Sequence, residues 1–144
     1  MATFRFALLS GLGATLTIAI LAYADSFQSE FVLLMAPFGA TAVLVFGVPD
    51  SPLAQAKNVI LGHLITAFIG VVFVTLLPVN AISLSIATGL AVSSMLLTKT
   101  THPPAGANPL LIMLSGQSCF FLVTPVLLGT VIIVVMGKLF QKLR

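Results

Sequence analysis

The 144-residue chain carries six Lys and Arg, three Asp and Glu and two His, a net charge of +3, with 59% hydrophobic residues and a mean hydropathy of +1.22. A water-facing surface needs roughly a quarter of its residues charged, against 6% here, which excludes a soluble globular domain. The chain reads as an all-α integral membrane protein, a single transmembrane domain over residues 1–144 with the lipid bilayer as its solvent. Its cations form no basic patch, so nucleic acid is set aside as a partner. The one cysteine, Cys119, permits no internal disulfide or thiol–metal cluster and reads as a small apolar filler.

Arg5 opens the first apolar stretch, residues 5–24. Ala22-Tyr23-Ala24 resembles a signal-cleavage site, but the uncharged run is long for a signal core and reads better as a retained first helix; no Arg- and Ser-rich leader argues for a transit peptide. A bilayer core about 30 Å thick takes roughly 20 helical residues, which predicts full spans at 5–24, 58–77, 80–98 and 120–138. Two shorter apolar stretches, 31–48 and 102–116, carry prolines near their beginnings. If both also cross, Arg5, Lys57, Lys99, Lys138, Lys142 and Arg144 share one side, which the cation rule makes cytoplasmic, and the outer loops hold Asp25 and Glu30. Re-entrant hairpins would instead place Lys57 opposite Arg5. The crossing reading predicts a multi-pass protein of the plasma membrane with both termini in the cytoplasm.

An offset of 67 residues lays the second half of the chain on the first without a gap. Pro37, Gly39, Ala40, Leu44 and Ser51 then face Pro104, Gly106, Ala107, Leu111 and Ser118. Val59, Leu61, Gly62, Ile65, Gly70 and Phe73 face Val126, Leu128, Gly129, Ile132, Gly137 and Phe140. Apolar sequences match one another easily in Leu and Val, less easily in Pro and Gly. The first helices of the two halves do not align. The match predicts two repeats, about 1–78 and 79–144, each a helix, a proline-interrupted segment and a helix. Three crossings is an odd number, so the second repeat is inverted relative to the first, a pattern that points to a transporter or channel with its site near the midplane.

Proline suits the first turn of a helix, so short helices are expected to begin near Pro37 and Pro104. A helix that begins inside the membrane leaves amides and the positive end of its dipole facing whatever sits there, which is an anion site. The expected substrate-binding residues are Pro37, Phe38, Gly39, Ala40 and Thr41 from the first segment and His102, Pro104, Ala105, Gly106, Ala107 and Asn108 from the second. Gly39 and Gly106 would let a ligand or the partner segment approach the backbone; Thr41 and Asn108 add polar groups one turn in. The alternative is that these Pro and Gly residues only serve close helix packing. Pro109 has Ala42 as its counterpart, so the second helix either starts later, near Pro109, or is kinked.

His63 and His102 are ionisable groups at membrane depth and hence candidates for function. His102 would donate to an anion, carry a proton, or cap the following helix; His63 reads equally as a structural hydrogen-bonder. Lys57, Asn58 and Lys99 lie at helix ends, as orientation anchors or as groups that gate and attract anions. Two histidines without carboxylates make a poor metal site, and neither metal nor cofactor is expected.

The stretches "APFGATAVLVFGVPDSPLAQAKNVILGH" (36–63) and "THPPAGANPLL" (101–111), which contains His102-Pro103-Pro104, resemble the HPP family of small integral membrane proteins. The resemblance implies a transporter, since chloroplast and cyanobacterial members are associated with nitrite transport, and it implies four or five spans. A small monovalent inorganic anion, nitrite first, suits amides at two helix starts without a buried cation beside it. The alternatives are an aquaporin-like pore for water or a neutral solute and a structural membrane subunit. An enzyme is not expected: Asp25, Glu30 and Asp50 fall in predicted loops and no Ser-His-Asp or metal-ligand arrangement occurs. So few helices are expected to form a homo-oligomer that shields the polar segments from lipid.

Overall fold

The computed structural model describes residues 3–27 and 33–143, and every regular element among them is helical. The order is α1 (Phe4–Phe27), a short α2 (Pro37–Ala42) prolonged by a π turn over Val43–Gly47, then α3 (Ala56–Leu76) and α4 (Ala81–Leu97). There follow α5 (Asn108–Ser115) and α6 (Leu128–Gln141). Tight 3-10 turns at Pro52–Ala54, Pro103–Ala107 and Cys119–Leu122 join them, and a second π turn, Val123–Leu127, leads into α6.

Three stretches are long and apolar enough to cross a membrane: Phe4–Ser26, Ala56–Leu76 and Cys119–Gln141. They match three of the four expected full spans. The fourth, expected over 80–98, is α4, which has 17 residues and ranks with the shorter apolar helices. At 1.5 Å per residue it is about 26 Å long, slightly less than the hydrocarbon core. The last stretch is also not one straight rod, because Thr124 takes an extended conformation (φ −134°, ψ 121°) within it. Asp25, expected in a loop, closes the last turn of α1, where its Oδ1 accepts the Leu33 amide at 2.7 Å. Glu30 lies outside the described residues. Cys119 is exposed, not a filler.

Local chemistry sets the helix ends. Pro109 sits in the first turn of α5, so the helix starts late, at Asn108, where a missing N–H costs nothing. Gly116 ends it in the left-handed conformation (φ 65°) that a side chain resists. Asn80 and Ser83 form a reciprocal capping box at the start of α4.

The inward faces of the long helices are rich in small and polar residues, around a core that also holds Phe38, Phe46, Ile112 and Ile133. The inward stripe of α1 is Gly13, Thr17 and Leu21; that of α3 is Val59, Gly62, His63, Thr66, Ala67, Gly70 and Val71; that of α4 is Ser83, Ala87, Ala91 and Met95. Large aliphatics such as Leu8, Leu12, Leu16, Ile82, Ile86 and Leu90 face outward. In lipid there is no hydrophobic gain from burying Leu, so helices are held by close contact between small residues and by polar bonds.

The close contacts follow the 67-residue register. The Phe38 amide donates to the Met35 carbonyl at 3.0 Å as the Ala105 amide does to that of His102, and Ala54 donates to Ser51 as Phe121 does to Ser118, each at 3.0 Å. A Cβ on Gly62 would lie 2.8 Å from the Thr100 carbonyl, and one on Gly129 would lie 3.3 Å from that of Leu33. A Cβ on Gly70 would meet the Ile112 side chain at 3.1 Å, and one on Gly137 would strike the Val45 side chain. Exchanging the halves turns each pair into the other. The long helix of each half therefore packs against the short helix of the opposite half, α3 on α5 and α6 on α2 with its π turn.

Candidate functional site

Four side chains from four segments meet where the short helices converge on α3. Thr41 of α2, His63 of α3, His102 from the loop after α4 and Asn108 of α5 are each fully buried. The Thr41 hydroxyl lies 2.9 Å from His63 Nε2 and 3.0 Å from His102 Nε2, and 3.1 Å from the carbonyl of Pro37. Asn108 Nδ2 lies 3.0 Å from His63 Nδ1, from the His63 carbonyl and from Thr66 Oγ1. His102 Nδ1 reaches the Leu53 carbonyl at 2.8 Å. Thr41 and Asn108 are counterparts under the 67-residue offset, so His63 offers one ring nitrogen to each of two equivalent positions.

The fold explains the convergence. Gly62 brings α3 against the loop holding Thr100 and His102, and Gly70 brings it against Pro109 and Ile112 at the start of α5. His63 lies between those two approaches on the same face. The Phe38 ring meets the His63 ring edge-on (centroids 5.6 Å, 80°), and the two imidazoles lie 5.0 Å apart. Asn108 Oδ1 is buried and accepts no hydrogen bond among the described residues. Its amide cannot be turned over, because the oxygen would then face the His63 carbonyl.

The other expected site residues divide. Pro37, Phe38, Pro104 and Ala105 are buried around the cluster, whereas Gly39, Ala40 and Ala107 are exposed and Gly106 is half-buried. A Cβ on Gly39 or Gly106 would meet nothing within 4 Å, so no partner segment approaches there; Gly62, Gly70, Gly129 and Gly137 provide the close approaches instead. Gly39 lines an apolar groove of about 460 Å³ with Ser10, Ala14, Ile18 and Phe46, outside the polar centre. The amides of Phe38, Gly39 and Ala105, expected to be unpaired, are taken up by turn carbonyls of Met35, Ala36 and His102.

Lys57 and Lys99 are exposed. Lys99 takes a left-handed conformation (φ 54°) just after α4, while the Thr100 amide returns to the Met95 carbonyl at 2.9 Å. Asn58 bridges two loops, donating to the carbonyls of Pro52 (3.0 Å) and Thr101 (3.1 Å). A separate cavity of about 220 Å³ beside Asp50, Gln55, Lys138 and Gln141 contains none of the expected site residues. Thr66 and the Leu53 carbonyl are site groups that the sequence reading missed. The helical spacing of Thr66 from His63 was the available signal for the first, and nothing announced the second.

Comparison with known proteins points to a transmembrane protein. The family model described as "HPP, transmembrane region" matches residues 1–144. A transmembrane protein of Dictyostelium discoideum is 36% identical over 130 residues, covering 85% of this chain and 42% of its own length. A second from the same organism is 34% identical over 125 residues, covering 81% and 44%. The chain thus spans less than half the length of these curated relatives. No solved structure matches.

Proposed function

The chain belongs to the HPP transmembrane family, and on that premise we propose that it carries a small monovalent anion across a membrane, nitrite being the first candidate. The observation that supports this reading is the fully buried Thr41–His63–His102–Asn108 cluster, which joins equivalent positions of two short helices inside an apolar chain. Polar side chains at membrane depth are expensive and mark solute pathways, and short helices meeting at the centre are the way transporters build midplane sites.

The threading that goes with this function is an inverted repeat. Residues 33–36 lead into α2 with its π turn, and residues 98–102 with the Pro103–Ala107 turn lead into α5, the two short helices entering the membrane from opposite sides. Gly13 of α1 lies against Phe46 and Phe140, which supports both termini on one side. The cation rule makes that side cytoplasmic, which goes with a place in the plasma membrane. The polar centre is closed in this conformation, so the protein works as a carrier that opens to each side in turn, in a homo-oligomer that covers the exposed groove beside Gly39.

A second reading has its own observation. The unpartnered Asn108 Oδ1 is an acceptor, which favours a solute with a hydrogen to donate, such as water or an undissociated acid. Proteoliposome uptake of nitrite, nitrate, formate and chloride, with osmotic swelling in parallel, separates the two. Saturable anion uptake above protein-free liposomes supports the carrier; swelling alone supports the neutral pore. Liposomes indifferent to the protein in every assay would overturn both.

A further inference from the structure

The hydrogen bonds around the two imidazoles fix three of the four ring nitrogens and leave one open. Asn108 Nδ2 has only its two hydrogens to offer, shared among His63 Nδ1, the His63 carbonyl and Thr66 Oγ1, so an N–H on His63 Nδ1, 3.0 Å away, would face a donor; that nitrogen is bare, and Nε2 carries the hydrogen and donates to Thr41 Oγ1. The Leu53 carbonyl can only accept, so His102 Nδ1 carries a hydrogen. The remaining nitrogen, His102 Nε2, faces the Thr41 hydroxyl at 3.0 Å. When that nitrogen is bare, the hydroxyl donates to it.

A second arrangement satisfies the same groups without moving a heavy atom. With a proton on His102 Nε2, that N–H donates to Thr41 Oγ1, whose two lone pairs then accept from both histidines. The hydroxyl hydrogen swings to the Pro37 carbonyl, already 3.1 Å away. A further proton finds no place, because the only other bare nitrogen faces the Asn108 amide.

We propose that Thr41, His63 and His102 form a binding site for one proton, taken up on His102 Nε2, and that this proton travels with the anion. Loading adds one proton from water to the ring nitrogen and breaks no covalent bond; release is the reverse. The titratable and charged groups on the elements packed around the pair are Lys57 of α3, Lys99 after α4, Asp50 before the 3-10 turn at Pro52, Cys119 of the 3-10 turn at Cys119–Leu122 and Lys138 of α6, all exposed. A buried imidazolium with no carboxylate bonded to it calls for a counter-ion, and a monovalent anion supplies it. Proton and anion then cross as a neutral pair.

The coupling rests on the transport reading, whereas the proton site does not, and the tests keep them apart. Nitrogen-15 NMR of histidine-labelled protein in lipid should show His63 as the Nε2–H tautomer and His102 as the Nδ1–H tautomer. As pH falls between about 8 and 4, His102 alone should become doubly protonated. Residue-to-residue correlations assign the signals in the unmodified chain, so no variant has to fold. Matching tautomers, titration of His63, or no titration of either would overturn the proton site.

In proteoliposomes, an inward proton gradient should stimulate nitrite uptake, with acidification of the lumen by one proton per anion. Thr41→Val should lose the stimulation and Thr41→Ser should keep it. Nitrite uptake that carries net charge and no proton would overturn the coupling and leave transport standing. A single titrating His102 with no anion moved under any gradient would overturn transport and leave the proton site.

Discussion

The two short-helix segments start from the same device and end in different chemistry. Pro37 and Pro104 stand at equivalent places, and the turn bonds of Phe38 and Ala105 match to 0.1 Å or better. Yet the first segment runs straight from Pro37 into an α-helix, whereas the second winds through a 3-10 turn and reaches its helix at Asn108. The first contributes a hydroxyl at Thr41, able to donate or accept; the second contributes an amide at Asn108, whose nitrogen can only donate. Met35 stands in the first half where His102 stands in the second, and Thr130 stands in the second where His63 stands in the first. Similar turns thus open the two segments, and unlike side chains at the positions matched by the offset give them different chemistry.

The comparison breaks most severely where the halves touch. Gly129→Leu and Gly70→Leu force a side chain into the Phe38 ring and the start of α5 respectively. Each should cost about 3 kcal/mol or more as overpacking, read as a large fall in melting temperature in detergent or loss of the folded protein. His63→Leu keeps much of the volume but strips partners from both Thr41 and Asn108. Leaving buried polar groups unpaired costs about 2–4 kcal/mol in total, and thermal unfolding should show it while Phe38 packing persists.

A sharper version makes the halves alike. Asn108→Thr removes the amide that keeps His63 Nδ1 bare; the expected loss is about 1–2 kcal/mol, and His63 should begin to titrate in the NMR experiment. The smallest effect belongs to the outward glycines. Gly39→Ala and Gly106→Ala should change stability by less than about 1 kcal/mol, since each added methyl meets open space. A large loss of stability from either would contradict the packing described above.

Much of this was legible in the residues. Composition announces the membrane, and the offset aligns Thr41 with Asn108, two residues that the structure brings to the two ring nitrogens of His63. The glycines were legible as a set but not in their individual roles. Gly39 and Gly106 stand beside prolines and draw the eye, yet close approach occurs at Gly62, Gly70, Gly129 and Gly137, because crossing helices touch along their lengths and not at their starts. His63 as the bridge was not legible. Gly62, His63, Thr66, Ala67 and Gly70 mark one face of α3, but the sequence does not say what meets that face, and its partners lie some 40 positions away in the chain. The length of α4 was overestimated because Asn80 and Thr98, which end it, are polar punctuation that hydropathy averages away.

Asn58 has a mechanical consequence. Its amide clasps the loops at Pro52 and Thr101, and His102 adds a third tie to Leu53 a short distance away. Their register partners are Pro125 and Met35, which have no side-chain N–H to tie anything. The loops at Pro52 and Thr101 are therefore held by three polar bonds that their register partners do not repeat. Parting these loops means breaking all three bonds together, so the segment that carries His102 moves as one piece with the Pro52 turn and the start of α3.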